Sequence, residues 1–502
     1  NHGMASVSYF DETLSLGASL QRDDGYAFAG TDDEFGNPVS LDYQDDYQNV
    51  FFDLNQHGWR INGAYYKQES ARFGFNPWVW LNGINETESY YLDLNKSHDT
   101  GSGELNFWLR LDNMDKNYHA GQFPFPADCN SYSNIPATLC NSTNQSNLSD
   151  TTTDLFNTIK RQTLEIQFKD RISEQLSYIV GGSVENAETT PLTFIYLEDG
   201  SINPNAGFAD PHDSVTAAFY GQLKYSINPD LDSIFGLRAE NNDDAGYSGA
   251  VPRIGITYQV KPDIYLKALY SEAYRTPVFI EKYAYTPNFL FGDVDLDREK
   301  INTIELGLDA KLNNTNTLQI ALYHLHLRNE IVRRPSVTSP PANEYYNAEG
   351  RIMHGAEFDW KSILSDRLEL MLNAAYMTGK DKTQIELQPS TASDAPFIAN
   401  TTINLVITYK FSNNWSSSLS SQYIGPKEYV LLPERGGVEG EIDAYNLSNL
   451  VVQFRKNRHA VNLTLRNLFD EDYTYPEPVR RYIDEIPGGS GLAGYLQYTY
   501  NY

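Results

Sequence analysis

The sequence predicts an all-β fold, a transmembrane antiparallel β-barrel, from three observations. Many stretches of about ten residues alternate apolar with polar side chains. The connectors between these stretches are alternately short and long. The chain also finishes on such a stretch, in which Leu496, Tyr498, Tyr500 and Tyr502 share one face. Strands with one apolar or aromatic face and one polar face suit a wall that meets lipid outside and water inside.

The composition is consistent with a membrane protein built from strands. The chain has 502 residues and a mean hydropathy of −0.50. No stretch approaches the roughly 20 consecutive apolar residues that a membrane helix needs, so this chain can span a bilayer only as a closed barrel. The 36 tyrosines fit interfacial aromatic girdles. The net charge of −28 argues against nucleic acid as a partner, because its phosphates would be repelled.

The alternating stretches, followed back from the carboxyl end, predict the individual strands. They occupy residues 493–502, 460–469, 443–455, 415–424, 398–410, 367–378, 350–360, 316–328, 299–311 and 263–272. Less regular stretches continue to Met4 and bring the total to about 21 strands. Short links at 411–414, 313–315, 227–230 and 455–458 predict tight turns at one end of the barrel, with long loops at the other. The alternation points Arg466 into the lumen.

The predicted strand number is odd. An odd number of strands cannot close a single-chain bacterial barrel of this type. The chain also begins at Asn1 without a charged segment, an apolar region or a cleavage site, although an outer-membrane protein is secreted. We therefore expect that an N-terminal part, including a first strand, is missing from this sequence.

A set of motifs marks the second half of the chain. Residues 251–258 read VPRIGITY, and residues 265–277, which follow, end in Tyr-Arg-Thr-Pro. Residues 299–307 read EKINTIELG, residues 346–350 read YNAEG ahead of Gly-Ala-Glu at 355–357, and residues 466–473 read RNLFDEDY. In this order, and with the terminal aromatic strand, they resemble the barrel domain of the TonB-dependent outer-membrane receptors, over residues 3–502.

The resemblance implies a multi-pass protein of the Gram-negative outer membrane, surrounded by lipid and acting as a monomer. It implies a barrel of about 22 strands whose lumen is filled by an N-terminal plug. The plug, expected to be missing here, would carry the TonB box that engages the TonB energy-transducing complex. The implied activity is energy-coupled uptake of a scarce nutrient, a ferric siderophore, with no resident cofactor.

Other functions are weighed against this expectation. A haem or cobalamin receptor of the same family, or a passive porin-like channel, is the alternative. A soluble secreted β-propeller or sandwich enzyme would account for the acidic charge but not for the terminal aromatic strand. The sequence holds no G-x-S-x-G, no H-E-x-x-H and no phosphate-binding glycine loop, so an enzyme is not expected.

Arg275 lies where a strand passes into a long connector. Its guanidinium either pairs with an acidic neighbour such as Glu281 or faces a ligand. Haem receptors of the family carry a histidine between the Tyr-Arg-x-Pro segment and the next strand, but residues 278–298 contain none. Haem would then need Tyr283 or Tyr285 as its axial ligand, so a siderophore is preferred.

Other long connectors hold the remaining ligand candidates. Aromatic rings in one of them could stack on a planar ligand or lie in the headgroup belt: Phe73, Phe75, Trp78 and Trp80. Guanidinium groups in two others could match the carboxylate or catecholate oxygens of an anionic iron chelate, or pair with nearby acids: Arg328, Arg333, Arg334, Arg480 and Arg481.

Three further groups of residues suggest a disulfide or a metal site. Cys129 and Cys140 flank a polar stretch and, in the oxidising cell envelope, are expected to form one disulfide within an extracellular loop. His324 and His326 lie on one face near the outer end of a strand, where an interfacial role is expected rather than metal ligation. An early acidic loop resembles the calcium loops of the family's cobalamin transporters, or is a solvated surface: Asp23, Asp24, Asp32, Asp33, Glu34, Asp42, Asp45 and Asp46.

Overall fold

Strands dominate the computed structural model, because the side chains alternate with little helical periodicity. The structure describes residues 2–32, 38–72, 83–120, 153–195, 202–286, 290–336, 343–381, 398–430, 439–476, 485–489 and 491–500. The strands, in chain order, are β1 (His2–Phe10), β2 (Leu14–Asp32), β3 (Pro38–Gln56), β4 (Trp59–Arg72), β5 (Gly83–Asp99), β6 (Gly103–Ala120), β7 (Thr153–Arg171), β8 (Leu176–Thr189), β9 (Leu192–Ile195), β10 (Ile202–Ala209), β11 (His212–Asn228), β12 (Leu231–Asn242), β13 (Tyr247–Lys261), β14 (Ile264–Arg275), β15 (Tyr285–Thr286), β16 (Leu290–Phe291), β17 (Glu299–Asn313), β18 (Asn316–Arg328), β19 (Glu330–Pro335), β20 (Asn343–Ala348), β21 (Arg351–Ser365), β22 (Leu368–Asp381), β23 (Thr401–Lys410), β24 (Trp415–Ile424), β25 (Lys427–Val430), β26 (Glu439–Ile442), β27 (Tyr445–Lys456), β28 (His459–Arg466), β29 (Thr474–Pro476), β30 (Glu485–Pro487) and β31 (Ala493–Tyr500). One short helix, α1 (Phe279–Tyr283), lies between β14 and β15 in this described part of the chain.

Most of the strands form one antiparallel wall, in which each strand pairs with the next wall strand along the chain. The sheet has 23 strands. Two of these, β9 and β10, form a hairpin between β8 and β11, which pair directly with each other. The all-β barrel wall and its predicted count of about 21 strands are therefore confirmed.

The two ends of the wall differ. Tight turns join the strands at one end, and in the turn between β3 and β4 both His57 (φ 54°) and Gly58 (φ 73°) adopt the left-handed conformation of a type I′ hairpin. Small sheets lie in the connectors at the other end: β15, β16, β20 and β19 form one, β25 and β26 a second, and β29 and β30 a third. Among the described residues, no helix has the length and apolar character needed to cross a membrane.

The first and last wall strands are edges of the sheet. β1 pairs with β2, β31 pairs with β28, and no pairing joins β1 to β31 among the described residues. Both edge strands run toward the tight-turn end, because the wall between them reverses direction at each strand and the number of wall strands is odd. Antiparallel closure of this wall takes one more strand that runs the other way.

The outer face of the wall is apolar and the inner face is polar. Leu306 is 56% exposed and Leu496 is 75% exposed, both on the outer face. On the inner face, Arg110 lies 3.4 Å from Asp93 and 2.7 Å from Asp112. This distribution suits a wall whose outer face meets lipid, because hydrocarbon accepts apolar side chains and the aqueous lumen accepts charged ones.

The predicted orientation of the last strands is confirmed at Arg466. Arg466 lies on the inner face of β28, and its guanidinium carbon is 5.0 Å from the centre of the Tyr495 ring. The outer face of the same hairpin carries Leu463 opposite Leu496. The alternation of side chains in the sequence therefore gave the correct face for both strands.

Candidate ligand site at the long-loop rim

Arg275 anchors the connector between β14 and β17 at the long-loop end of the wall. Its Nε lies 2.6 Å from an oxygen of Glu299, and its Nη1 lies 2.8 Å from an oxygen of Glu281. The two carboxylates are only 15% and 12% exposed. The hydrogen bonds to Glu299 and Glu281 raise the pKa of the Arg275 guanidinium, since they stabilise its charged form. Of the two alternatives for Arg275, the structure therefore shows the ion pair with acidic neighbours.

A buried cation and a pair of stacked rings hold α1 against the connector between β12 and β13. Lys282 is 5% exposed and donates hydrogen bonds to the backbone carbonyl and the carboxylate of Asp244. The Tyr283 hydroxyl donates to the same carboxylate, and its ring stacks on His212 with centroids 3.5 Å apart. Burial and the bond to Asp244 raise the pKa of Tyr283, which disfavours the phenolate that iron would bind. Tyr285 is 64% exposed.

Hydrogen bonds join this connector to the one between β18 and β21. β16 pairs in parallel with β20. Asn347, from the YNAEG motif, accepts a bond from the backbone N–H of Asp297 at 2.7 Å and donates one to the Asp297 carbonyl at 2.8 Å. Glu299 accepts a bond from the backbone N–H of Ile331 at 2.8 Å. The two connectors therefore form one layer over this part of the rim.

One glycine is needed for that layer to close on α1. The N–H of Gly292 donates to the carbonyl of Ala284 at 2.7 Å. A Cβ on Gly292 would lie 2.5 Å from the backbone carbonyl of Lys282, which is closer than real carbon atoms approach. The backbone can therefore come this near only because residue 292 has no side chain.

Arg298 is a half-buried cation that lacks a carboxylate partner among the described residues. Its guanidinium carbon lies 3.1 Å from the ring centre of Tyr247 and 5.1 Å from that of Tyr274. Arg298 Nη1 and the Tyr247 hydroxyl are buried without a hydrogen-bond partner among the described residues, whereas the Tyr274 hydroxyl interacts with the Glu240 carboxylate. Burial lowers the pKa of Arg298. The aromatic faces stabilise the charge, but two polar groups remain unsatisfied, and each such group costs about 1–3 kcal/mol.

The Arg298 group lies just inside the wall. Gly249 occupies the inner face of β13 opposite Glu240 of β12. A Cβ on Gly249 would lie 1.4 Å from the Tyr247 hydroxyl and 2.7 Å from Arg298 Nη1. The absence of a side chain at residue 249 thus leaves the space that the ring and the guanidinium occupy on the lumen side.

A second buried cation lies among tyrosines elsewhere on the rim. Lys427 is 8% exposed, and its ammonium is 3.2 Å from the Tyr445 hydroxyl and 4.6 Å from the ring centre of Tyr475. Burial lowers the pKa of Lys427, because the charged form loses hydration. The aromatic rings offset part of this loss through cation–π attraction.

The other predicted arginines that are described have different surroundings. Arg334 forms an ion pair with Glu344 at 2.9 Å and lies 4.3 Å from the ring centre of Tyr346. Arg328 donates a hydrogen bond to Asn302. Arg333 is exposed. The structure brings Arg334 and Arg275 into the same layer, where both neutralise carboxylates.

Several predicted residues lie outside the part of the chain whose side chains are described, and their roles remain predictions. They are Phe73, Phe75, Trp78, Trp80, Cys129, Cys140, Asp32, Asp33, Glu34, Asp42, Arg480 and Arg481.

The predicted acidic loop is wrong in its described part, where Asp23, Asp24, Asp45 and Asp46 belong to strands β2 and β3 and the side-chain alternation divides them between two faces. Asp23 pairs with Asp45 across β2 and β3, and the alternation of side chains places both on the inner face. The same alternation places Asp24 and Asp46 on the outer face. Asp45 accepts a hydrogen bond from Gln68 at 2.8 Å, and Asp24 lies 3.2 Å from Arg22. Within the described residues, no group of three or more His, Cys, Asp or Glu side chains is placed to hold a metal ion. Calcium binding by this loop stays a prediction.

Sequence reasoning did not identify Arg298 or Lys427. Arg298 stands in the run Asp-Arg-Glu-Lys at 297–300, which resembles a solvated charged surface. Its tyrosine neighbours come from β13 and β14, and Lys427 meets residues of β27 and β29. The one signal in the sequence that could have identified Arg298 and Lys427 was a cation close to tyrosine-rich strand ends in an otherwise acidic chain.

Comparison with known proteins identifies the barrel. No protein with a curated function matches the sequence. The solved structures that share the fold include the siderophore receptor PirA from Acinetobacter baumannii (13% identity, 100% of this chain, 77% of that chain, TM-score 0.69), the FrpB iron transporter from Neisseria meningitidis (14%, 99%, 79%, 0.70) and the copper transporter OprC (14%, 100%, 79%, 0.72). The model of the family described as "TonB dependent receptor-like, beta-barrel" matches residues 5–468. That match spans most of the sequence, and the chain therefore belongs to the TonB-dependent receptors of the outer membrane, as a β-barrel of that family.

Proposed function

We propose that this chain is the barrel of a receptor for energy-coupled uptake of a ferric siderophore across the outer membrane of a Gram-negative cell. Family membership supports coupled transport of a bound ligand. Similar folds include proteins described as siderophore receptor, iron transporter and copper transporter. A plug inside the lumen would carry the contact with the TonB complex, and lipid would surround a monomeric barrel.

The observation that carries the choice of an anionic chelate is the Arg298 group. The chain has a net charge of −28, and the other buried or half-buried arginines of this rim are neutralised by carboxylates, as Arg275 and Arg334 are. Arg298 keeps its charge unpaired among the described residues, and the Tyr247 hydroxyl beside it also lacks a hydrogen-bond partner there. Carboxylate or catecholate oxygens would accept hydrogen bonds from the guanidinium and from the Tyr247 hydroxyl after a small side-chain rotation.

The tyrosine rings add a second basis for recognition. Tyr247 and Tyr274 meet edge to face, with ring centres 5.1 Å apart. An aromatic chelator such as a catecholate could pack against these rings while its oxygens meet the guanidinium. The group thus suits an anionic, partly aromatic ligand better than a neutral sugar, which would leave the charge of Arg298 uncompensated.

Growth under iron starvation tests the proposal. The full-length open reading frame, with its plug, is placed in a receptor-deficient host that receives ferric catecholate, ferric carboxylate or ferric hydroxamate chelates, or haem, and the uptake of labelled cyanocobalamin is measured separately. We expect rescue by an anionic ferric chelate. Rescue by haem alone, or uptake of cyanocobalamin without rescue by any ferric chelate, would assign the other ligand class. Uptake that persists without the TonB complex would indicate a passive channel.

Variants of Arg298 connect the uptake to the site. Arg298→Ala should weaken binding of the rescuing chelate by about 10-fold to 100-fold, because it removes charge-assisted hydrogen bonds of about 1.5–3 kcal/mol. Arg298→Lys keeps the charge but loses the fork of donors, so an intermediate loss is expected. Arg22→Ala, which removes an exposed cation in the middle of β2, is the matched control. Equal binding by Arg298→Ala and the control would remove Arg298 from the ligand site.

A further inference from the structure

Two histidines face each other on the outer surface of the wall, away from the Arg298 group. His324 of β18 lies directly opposite His354 of β21. Leu322 and Ala356 form the neighbouring pair on the same outer face of this ladder, and Leu322 is 51% exposed. The row that contains the histidines continues through Ile304 to Tyr270 in the adjacent strands. This row forms the border of the apolar band nearer the long-loop end, where lipid headgroups would lie.

The ring nitrogens of the two histidines are close together. The Nδ1 atoms lie 3.1 Å apart, and the ring centres are 4.6 Å apart with planes inclined at 42°. Without a further ligand, one ring must donate N–H to the other, so at least one Nδ1 is an acceptor. The rings come from different strands of a hydrogen-bonded ladder, so the backbone holds the two nitrogens near each other.

The separation of the nitrogens matches that of two ligands on one metal ion. Imidazole nitrogens bind zinc at about 2.0–2.1 Å. Two nitrogens at that distance from one ion, and 3.1 Å apart as here, subtend an angle of about 98° at the metal. This angle lies between the square-planar and the tetrahedral values, both of which Cu²⁺, Ni²⁺ and Zn²⁺ sites adopt.

We propose that His324 and His354 form a two-nitrogen site for a divalent transition metal ion on the outer face of the barrel. Imidazole is a ligand suited to copper, nickel and zinc, and Cu²⁺ heads the order of affinity for such donors. No group of three or more metal-binding side chains occurs among the described residues, so the protein supplies two ligands and leaves the other positions open. Water or a phosphate oxygen of a lipid headgroup would fill them.

Such an ion would act at the membrane border rather than in transport. The site lies on the lipid side of β18 and β21, while Arg298 lies on the lumen side of the neighbouring wall. A bound ion would tie β18 to β21 below the two-connector layer of the rim. It would also give an acidic barrel a local positive charge at the level of the anionic headgroups.

Titration of the purified barrel with Cu²⁺, in detergent and without a histidine tag, tests the proposal. We expect one ion whose electron paramagnetic resonance spectrum shows two equivalent nitrogens. His324→Gln and His354→Gln should each lose about 100-fold in affinity, because a single imidazole lacks the effective concentration that the second provides. His459→Gln is the control, since that histidine meets Tyr498 and Tyr500 at the other end of the wall.

Each result decides the question. Binding by the wild type and by His459→Gln, with loss in both site variants, supports the site, provided that all four proteins keep the β-sheet circular dichroism of the folded barrel. If a single variant misfolds, metal protection of the wild-type pair against imidazole acylation, located by mass spectrometry, replaces it. The proposal fails if the double variant His324→Gln/His354→Gln binds Cu²⁺ as the wild type does, or if the folded wild type binds none.

Discussion

Replacing Arg275 by Ala would show how strongly the connector 276–298 is held to the wall. The change removes hydrogen bonds to Glu299 and Glu281, whose side chains are 15% and 12% exposed. Each charge-assisted bond contributes about 1.5–3 kcal/mol. Because the Arg275 side chain is itself 42% exposed, solvent screening reduces the total to about 2 kcal/mol. The wall ladders are unchanged, so the loss should appear as local opening of the connector.

Amide hydrogen exchange of the folded barrel measures this opening. A change of 2 kcal/mol corresponds to exchange that is about 30-fold faster, and the amides of Ala284 and Gly292, which donate within the connector, report it. Arg22→Ala should leave exchange in the connector unchanged, since it breaks only an exposed pair with Asp24. If Arg275→Ala also leaves these two amides unchanged, the ion pairs do not hold the connector.

Four other outcomes are expected. Gly292→Ala should lower the stability of the same connector by about 1–3 kcal/mol through the clash with α1, whereas Gly221→Ala, whose Cβ would have 3.8 Å of clearance, should be tolerated in the same exchange assay. Burial lowers the pKa of Lys427, so the unfolded chain binds more protons than the folded chain between that lowered pKa and 10.5. The stability of the fold therefore rises with pH in that range. The variant Lys427→Met should melt at a higher temperature at pH 7, and its stability should rise less with pH. Chelation should lower the melting temperature if the acidic loop holds calcium, and an unchanged curve would remove that site. Mass spectrometry after alkylation without reductant should find both cysteines unmodified if they form the expected disulfide, and two alkylated thiols would contradict it.

The two-residue period of the sequence predicted the wall well because one physical constraint acts on every strand. Residues 415–424 are a strand as predicted, and the predicted strand at 299–311 extends as Glu299–Asn313. Lipid outside and water inside require alternation all along each strand, so the pattern is readable from neighbours in the chain. The predicted start at 398 was early, since that strand begins at Thr401.

The rim could not be read in the same way because its contacts join distant parts of the chain. α1 is five residues long and depends on Asp244, which lies 38 residues before Lys282. A helix this short has too few intrahelical bonds to form from propensity alone. His324 and His354, 30 residues apart, likewise meet only because β18 pairs with β21 in one particular register.

The parallel ladder between β16 and β20 has a mechanical consequence. The wall hairpin β17–β18 lies between the two connectors in the chain. The β16–β20 ladder joins the two connectors at the long-loop end of this hairpin. Lifting one connector must therefore strain the other, and with it β14 on one side of the hairpin and β21 on the other. A ligand that moves Arg298 would therefore also displace the second connector, two strands away. The smallest moving part of this rim comprises both connectors and the hairpin that they span.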